Sequence, residues 1–268
     1  MSETFGTIAR NASEAARPHL WQGLVGAWVP SLGVTGGTLR DVSGRGNHGV
    51  LTDMDAATDW QTSGGGFLDF DGSNDYVLLP SRSVELPFSL SIWFRSANLT
   101  KPYQALFTAN TDVNAPPIYC GVHYISGSSR MIFYGDGAYT ANSDPFAQDS
   151  SWHHYAWSVQ LGGAGQYFRD GVQIGAFARN VTAKPPSAGS IGASRASLAN
   201  LFAAQGAIAE CSRWERVLTA AEIKTVYQSG PGGWLARKRR RVYSVTAAPV
   251  VYGQRLSRHR TILGGGLR

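Results

Sequence analysis

The chain has 268 residues, of which 32 are glycine, 8 are tryptophan and only 16% are charged. An average globular domain carries about 25% charged residues, and a helical bundle needs long charged faces, so this composition favours short strands joined by tight turns. The two cysteines are too few for a disulfide framework or a metal knuckle. We interpret Cys120 and Cys211 as buried thiols and leave their pairing open.

The net charge of +6 is concentrated at one end of the chain. The stretch 232–268 contains nine basic residues and no acidic one, which leaves 15 basic and 18 acidic residues elsewhere. A basic segment of this kind meets nucleic acid, a membrane surface or an acidic protein, or it is simply a solvated tail. Aromatic residues are sparse beside the cluster, which disfavours nucleic acid. We predict an assembly arm that contacts neighbouring subunits through Arg237, Lys238, Arg239, Arg240 and Arg241.

The first 20 residues form a second predicted arm. They contain acidic residues and no apolar run, so they do not match a secretory signal, and no stretch of the sequence reaches the roughly 20 apolar residues of a membrane span. The predicted organisation is therefore an arm at 1–20, a β-rich domain at 21–231 and a basic arm at 232–268.

Alternating apolar residues predict strands through the middle of the chain. Phe88–Arg95 and Trp152–Val159 both have a period of two. In the first segment, one face carries Leu90, Ile92 and Phe94, and the other carries Trp93. Asp170 and Gly171 separate two strand-like runs and favour the positive φ angles of a type I′ hairpin turn. Repeated segments of this kind predict two packed antiparallel sheets.

One helix is marked near the end of the domain. Thr219 and Glu222 form a capping box, so we predict a helix from about Ala220 to Gln228 that ends at Gly230. Its apolar positions, which should dock on the sandwich, are Ile223, Val226 and Tyr227.

Eight landmarks in the same order resemble the laminin-G-like jelly-roll family, the concanavalin A-like lectin/glucanase superfamily. They are Gly23–Trp28, Leu39–Gly49, Phe70–Val77, Phe88–Phe94, Trp152–Ala156, Asp170–Gly171, Ile191–Gly192 and Ile208–Leu218. The resemblance implies an all-β, antiparallel two-sheet jelly-roll sandwich, here with one short C-terminal helix and extended N- and C-terminal arms.

The resemblance also implies a Ca²⁺ site in some family members. The oxygen-rich, glycine-rich loop at 41–49 suits a hard cation, with Asp41, Asn47 and Asp71 as candidate ligands. The alternative is that these side chains only cap turns and bond to their own backbone.

Catalysis is not expected. Related glucanases use paired carboxylates on one strand face, but Glu210 and Glu215 are five residues apart and so face opposite sides of a strand. Asp69 and Asp71 have even spacing but belong to the Phe-Asp-Gly signature, to which we assign a structural role. Binding of a cell-surface glycan is the expected activity, on an aromatic surface of Tyr103, Tyr119, Tyr124, Arg130, Tyr134 and Tyr139; the alternative is that these rings belong to the core.

Domains resembling this one occur in tailed-bacteriophage virion proteins, which assemble in the host cytoplasm and need no export signal. The expected role is therefore a decoration protein, a homo-oligomer held to capsid or tail subunits by its arms. The alternative is an extracellular bacterial carbohydrate-binding module exported by another route.

Overall fold

The computed structural model describes residues 12–235 apart from 33, 63–65, 85, 110–117, 136–137, 141–142, 179–183 and 195–201. The chain divides into two units, Met1–Arg237 and Lys238–Arg268, and the second lies outside the described residues. The description of the first unit ends at residue 235. All five predicted assembly-arm residues thus lie outside the described residues: Arg237, Lys238, Arg239, Arg240 and Arg241.

Seventeen short strands and three short helices make up the described unit, which is a two-sheet jelly-roll sandwich, as predicted. The helices are α1 (residues 12–16), α2 (Pro18–Trp21) and α3 (Ala220–Ser229). The strands are β1 (Leu24–Trp28), β2 (Val34–Thr35), β3 (Thr38–Leu39), β4 (Gly49–Thr52), β5 (Trp60–Gln61), β6 (Phe67–Asp71), β7 (Tyr76–Val84), β8 (Phe88–Ser96), β9 (Tyr103–Thr108), β10 (Tyr119–Ile125), β11 (Ser128–Gly135), β12 (Ala138–Thr140), β13 (His153–Val159), β14 (Gly165–Arg169), β15 (Val172–Phe177), β16 (Lys184–Ile191) and β17 (Gln205–Trp214).

The strands form two antiparallel sheets. Sheet A has the order β15-β14-β13-β8-β17-β6-β5, with β1 also paired to β17, and sheet B has the order β12-β11-β10-β9-β16-β7-β4-β3-β2. Their facing sides enclose the main core, in which alternate strand residues such as Leu90, Ile92 and Phe94 point inward. Cys120 and Cys211 are buried in this core as free thiols.

Local signals predicted from the sequence are present. Asp170 and Gly171 both have positive φ, 52° and 74°, as a type I′ turn requires. The Thr219 side chain accepts from the Glu222 backbone N–H, which completes the predicted capping box, and α3 extends one residue beyond the predicted end.

A second apolar cluster covers part of the outer face of sheet A. It joins α2, α3 and residues 234–235 to β1, β13, β14 and β17, and its large rings are Trp21, Trp214, Trp234 and Phe168. The Trp234 carbonyl accepts from the Ser13 hydroxyl at 2.9 Å. Residues 12–20 and 232–235, which the sequence assigns to arms, therefore pack against the sandwich.

Candidate binding cleft

Part of the outer face of sheet A remains open beside this covering. Strand register places Arg95, Ala207 and Asp69 in one row across β8, β17 and β6, because Ala207 pairs with both Arg95 and Asp69. Trp152 lies just before β13, whose first residue, His153, pairs with Phe94. Residues directly opposite in antiparallel strands share a face. The row therefore lies on the outer face, opposite the core.

A cleft of about 380 Å³ lies along this row. Its lining residues, which define the sheet A cleft, are Asp69, Arg95, Ser96, Ala97, Ser150, Gly206 and Ala207. An adjoining hollow of about 210 Å³ shares Asp69 and Ala97. Small residues make the floor: a Cβ at Gly206, whose φ is +135°, would lie 2.1 Å from the Arg95 carbonyl oxygen. A narrower apolar hollow near Trp28 holds only about 20 Å³, which is too small for a ligand.

The Arg95 guanidinium lies against two aromatic rings that also touch each other. Its central carbon lies 5.1 Å from the ring centroids of both Phe67 and Trp152, and the two rings meet edge to face at 5.6 Å. Cation–π contacts of this kind are worth about 0.5–1 kcal/mol each at exposed sites. No described residue gives the guanidinium a hydrogen bond or an ion pair. Its donors are therefore free at the edge of the cleft.

Asp69 lies on β6, at the opposite side of the cleft from Arg95. It is exposed, and no described residue donates to its carboxylate. Arg95 and Asp69 are two strands apart, about 10 Å between Cα atoms at the usual strand spacing. The cleft therefore presents a fixed cation and a free carboxylate across a floor of small residues.

The next acidic residues along the chain build a turn. Asp71 Oδ1 accepts from the Ser73 backbone N–H at 2.7 Å, and Asp75 Oδ2 accepts from the Asp71 N–H at 2.8 Å. Burial raises the pKa of Asp75 to about 6, with smaller contributions from the charges of Asp71 and Asp59. Burial also lowers the pKa of Lys101, which donates to the Gly72 carbonyl at 2.5 Å.

The predicted aromatic surface lies elsewhere, on the outer face of sheet B. Tyr119 stacks on Tyr134 at 4.8 Å and Tyr103 stacks on His123 at 4.0 Å. Tyr119 is only 3% exposed, and Phe202 packs against the same group. These rings therefore pack against one another, with Tyr119 buried and Tyr103 and Tyr134 half-buried, and glycan binding on this face stays a prediction.

The other residues predicted to contact a glycan do not extend this tyrosine cluster into a continuous binding surface. Arg130 donates to the Ser143 carbonyl at 2.6 Å. Tyr124 pairs with Ser129 and, by strand alternation, faces the side opposite Tyr119. Tyr139 pairs with Tyr134, but its side chain lies outside the described residues.

The predicted metal ligands fall in two places. Asp41 Oδ1 accepts from the Ala27 and Ser43 backbone N–H groups at 3.0 and 2.8 Å, and Oδ2 accepts from the Asn47 N–H at 3.0 Å. Asp41 thus organises its own loop. Asp71 lies farther along the sheet. It pairs with Gln205 of β17, whereas Trp28, which bridges to Asp41, pairs with Cys211 of the same strand. These two positions on β17 are six residues apart, or roughly 20 Å.

The structure therefore does not bring the three predicted ligands together. Among the described residues, no three His, Cys, Asp or Glu side chains are grouped to hold a metal. Ca²⁺ binding stays a prediction.

Comparison with known proteins agrees with this architecture. Residues 71–224, more than half of the chain, match the family model described as the concanavalin A-like lectin/glucanases superfamily. No curated protein sequence matches the chain.

Solved structures share the fold at low identity. Domain 4 of the extracellular arabinanase AbnA from Geobacillus stearothermophilus, in complex with arabinotriose, is 18% identical with a TM-score of 0.58; the match covers 76% of this chain and 98% of that one. The botulinum neurotoxin serotype D binding domain is 13% identical with a TM-score of 0.54, covering 78% of this chain and 52% of that one. Trypanosoma rangeli sialidase with sialic acid is 17% identical with a TM-score of 0.53, covering 77% and 33%.

The chain thus spans about half of the neurotoxin chain and a third of the sialidase, and these likenesses concern the fold. Together with the family match and the two-sheet topology, they lead to one conclusion: the chain belongs to the concanavalin A-like lectin/glucanase superfamily.

Proposed function

We propose that this protein is a non-catalytic carbohydrate-binding domain and that the sheet A cleft is its binding site. One observation carries the proposal: Arg95 and Asp69, whose charged groups have no polar partner among the described residues, line one cleft together with Gly206 and Ala207. Both residues sit on paired strands, so their backbone positions are fixed before a ligand arrives. Preorganised polar groups lose little freedom on binding.

Sugars match this arrangement chemically. A sugar ring offers hydroxyl groups that accept from a guanidinium and donate to a carboxylate. The volume of about 380 Å³ falls within the range of small-molecule sites. The arabinotriose complex of AbnA domain 4 supports sugar binding by this fold.

The acids of the domain support binding without turnover. A glycosidase needs a carboxylic acid of raised pKa beside the scissile bond. Asp75 has such a pKa, but it is buried and does not line the cleft. Glu210 is also buried, and its carboxylate accepts from Gly232, Trp234 and Ser212. Neither acid can reach a bound sugar.

The test is a calorimetric titration with arabinotriose and a panel of other oligosaccharides. For the sugar that binds, Asp69→Asn should weaken affinity about tenfold, as expected for loss of a charge-assisted hydrogen bond, and Ala207→Leu should fill the cleft. Asp53→Asn is the matched control, because Asp53 is exposed just after β4, outside the cleft, and its φ of 57° suits asparagine.

Equal affinities in all three variants would place the site elsewhere. A reducing-sugar assay on the same panel should show no release above buffer.

We also propose that the domain is displayed on a virus particle as a decoration protein. In this proposal the protein is a homo-oligomer, and its basic segment binds capsid or tail subunits. The composition of 232–268 supports this, since nine basic residues with no acidic one favour an acidic partner. The Ser13 and Trp234 contact supports it too, because both predicted arms then begin at one place on the sandwich.

Deletion of residues 238–268 tests the assembly role. The cut leaves Trp234 in place, so the melting point should stay the same while incorporation into particles or oligomers is lost. Normal assembly of the shortened protein would instead favour the alternative, an exported extracellular binding module.

A further inference from the structure

Arg95 differs from the other arginines of the described residues. Each of the others that is buried or half-buried donates to a carbonyl or a histidine ring, or pairs with a carboxylate. Arg95 is half-buried, and within the described part of the chain it contacts only the rings of Phe67 and Trp152. A half-buried cation has lost part of its hydration and gains from an anionic partner.

We infer that Arg95 receives a carboxylate carried by the sugar, so that the ligand of the sheet A cleft is a uronic-acid type of saccharide. The inference rests on the proposed carbohydrate-binding function and names its ligand class. A carboxylate is planar and presents two oxygens to the guanidinium fork, the geometry of a bidentate pair. It also carries one negative charge, which balances the single cation, whereas a doubly charged phosphate would leave an excess.

The acidic residues on the β6 side of the cleft set the orientation of this ligand. Asp69 is about 10 Å from Arg95 between Cα atoms, and Asp59 and Asp71 lie beyond it in the adjoining hollow. Because the Debye length is about 8 Å at physiological salt, these charges repel a carboxylate at Arg95 only weakly. A carboxylate at Asp69 would be repelled at contact. The charged end of the sugar therefore lies over β8, and its hydroxyl groups donate to Asp69 on β6.

Matched sugars test the inference. The probes are methyl β-D-glucuronide and methyl β-D-galacturonide, each compared with its uncharged glucoside or galactoside, followed by NMR titration of the intact protein. For at least one pair, the uronide should bind about tenfold more tightly than its neutral partner, and the difference should shrink as salt is added.

Variants separate the charge from the fold. Arg95→Gln should bring the two members of the pair to within about twofold by weakening the uronide alone. Arg95→Lys keeps a point charge without the fork and should retain part of the preference. Arg40→Gln is the control, because Arg40 is exposed and lies outside the cleft. Thermal melting of each variant confirms that it is folded.

The outcomes distinguish the two proposals. Equal binding of uronides and neutral sugars by the unaltered protein, still sensitive to Asp69→Asn, overturns the carboxylate inference and leaves the carbohydrate site standing. If no sugar binds, or if binding ignores both Arg95→Gln and Asp69→Asn, the site itself is refuted. A uronide preference that Arg95→Gln leaves intact also overturns the inference.

Discussion

Replacing Glu210 by glutamine should destabilise the domain by loosening the segment that follows α3. Glu210 is fully buried, and its two carboxylate oxygens accept from the Gly232 backbone N–H at 2.7 Å, the Trp234 indole N–H at 2.7 Å and the Ser212 hydroxyl at 2.9 Å. Trp234 packs against Trp214 and Trp21, so the carboxylate fixes the segment into a tryptophan cluster.

The magnitude follows from counting donors. Glutamine keeps one acceptor oxygen and places an NH₂ group where the second oxygen was, so at least one buried N–H group faces another donor. A buried donor left without a partner costs about 1–3 kcal/mol, and we expect that loss of unfolding free energy at neutral pH. Asp53→Asn is the matched control, because it makes the same carboxylate-to-amide change at an exposed residue, where substitutions change stability by about 0.5 kcal/mol or less.

The pH dependence adds a second test. Burial raises the pKa of Glu210 above its ordinary value of 4.5, against the hydrogen bonds from Gly232, Trp234 and Ser212, which lower it. The stability that goes with a raised pKa is fully present below pH 4.5 and is lost as pH rises through the folded value. Glutamine does not titrate, so the difference in unfolding free energy between the unaltered protein and Glu210→Gln should narrow from pH 4.5 to pH 8.

Urea unfolding followed by tryptophan fluorescence measures this difference at each pH. The reasoning is refuted if the two unfolding free energies differ by less than about 0.5 kcal/mol at neutral pH, or if their difference widens as pH rises.

Three further predictions concern other titratable side chains. Asp41→Asn should lower stability by about 1–3 kcal/mol in urea unfolding, with chelator or with Ca²⁺, because its carboxylate accepts from three backbone N–H groups. Hydrogen bonding to Asp170 raises the pKa of His153, so thermal stability should fall as pH rises through and above 6.5, a step that His153→Gln should abolish. The raised pKa of Asp75, about 6, should remove stability between about pH 4 and pH 6; melting curves of Asp75→Asn should lack that decline.

Much of the fold could be predicted because its signals are local. The alternation of Leu90, Ile92 and Phe94 fixes which face of β8 enters the core, and the Thr219–Glu222 box begins α3 through contacts within four residues. The boundary of the C-terminal arm was harder to place. Trp234 reads as part of a basic tail, and only its distant contacts with Glu210 and Ser13 show that it is buried.

The cleft could not be read from the sequence for a related reason. Arg95, Ala207 and Asp69 are up to 138 positions apart in the chain, and they meet only through the register of β8, β17 and β6. One signal was available: Arg95 follows Trp93 by two positions, so it shares the outer face of β8. The tyrosines at 103, 119 and 134 lie together, but a count of aromatic residues does not distinguish an open binding surface from a packed cluster.

The strongest argument for the cleft is the contrast between the two halves of the same sheet face. Where α3 and the tryptophan cluster cover sheet A, the outward-facing hydroxyls are paired within the protein: Ser89 donates to the Arg216 carbonyl, and Ser91 bonds to His154 at 2.8 Å. A few residues farther along the same strands, Arg95 and Asp69 have no such partners in the described chain. A protein that needed only a stable sheet could end this face in small polar side chains, as it does under the covering. Here an arginine instead lies against the touching rings of Phe67 and Trp152, beside a floor of glycine and alanine. That arrangement leaves the donors of the guanidinium to water or to a ligand, and the cleft of about 380 Å³ that Arg95 lines has room for a ligand.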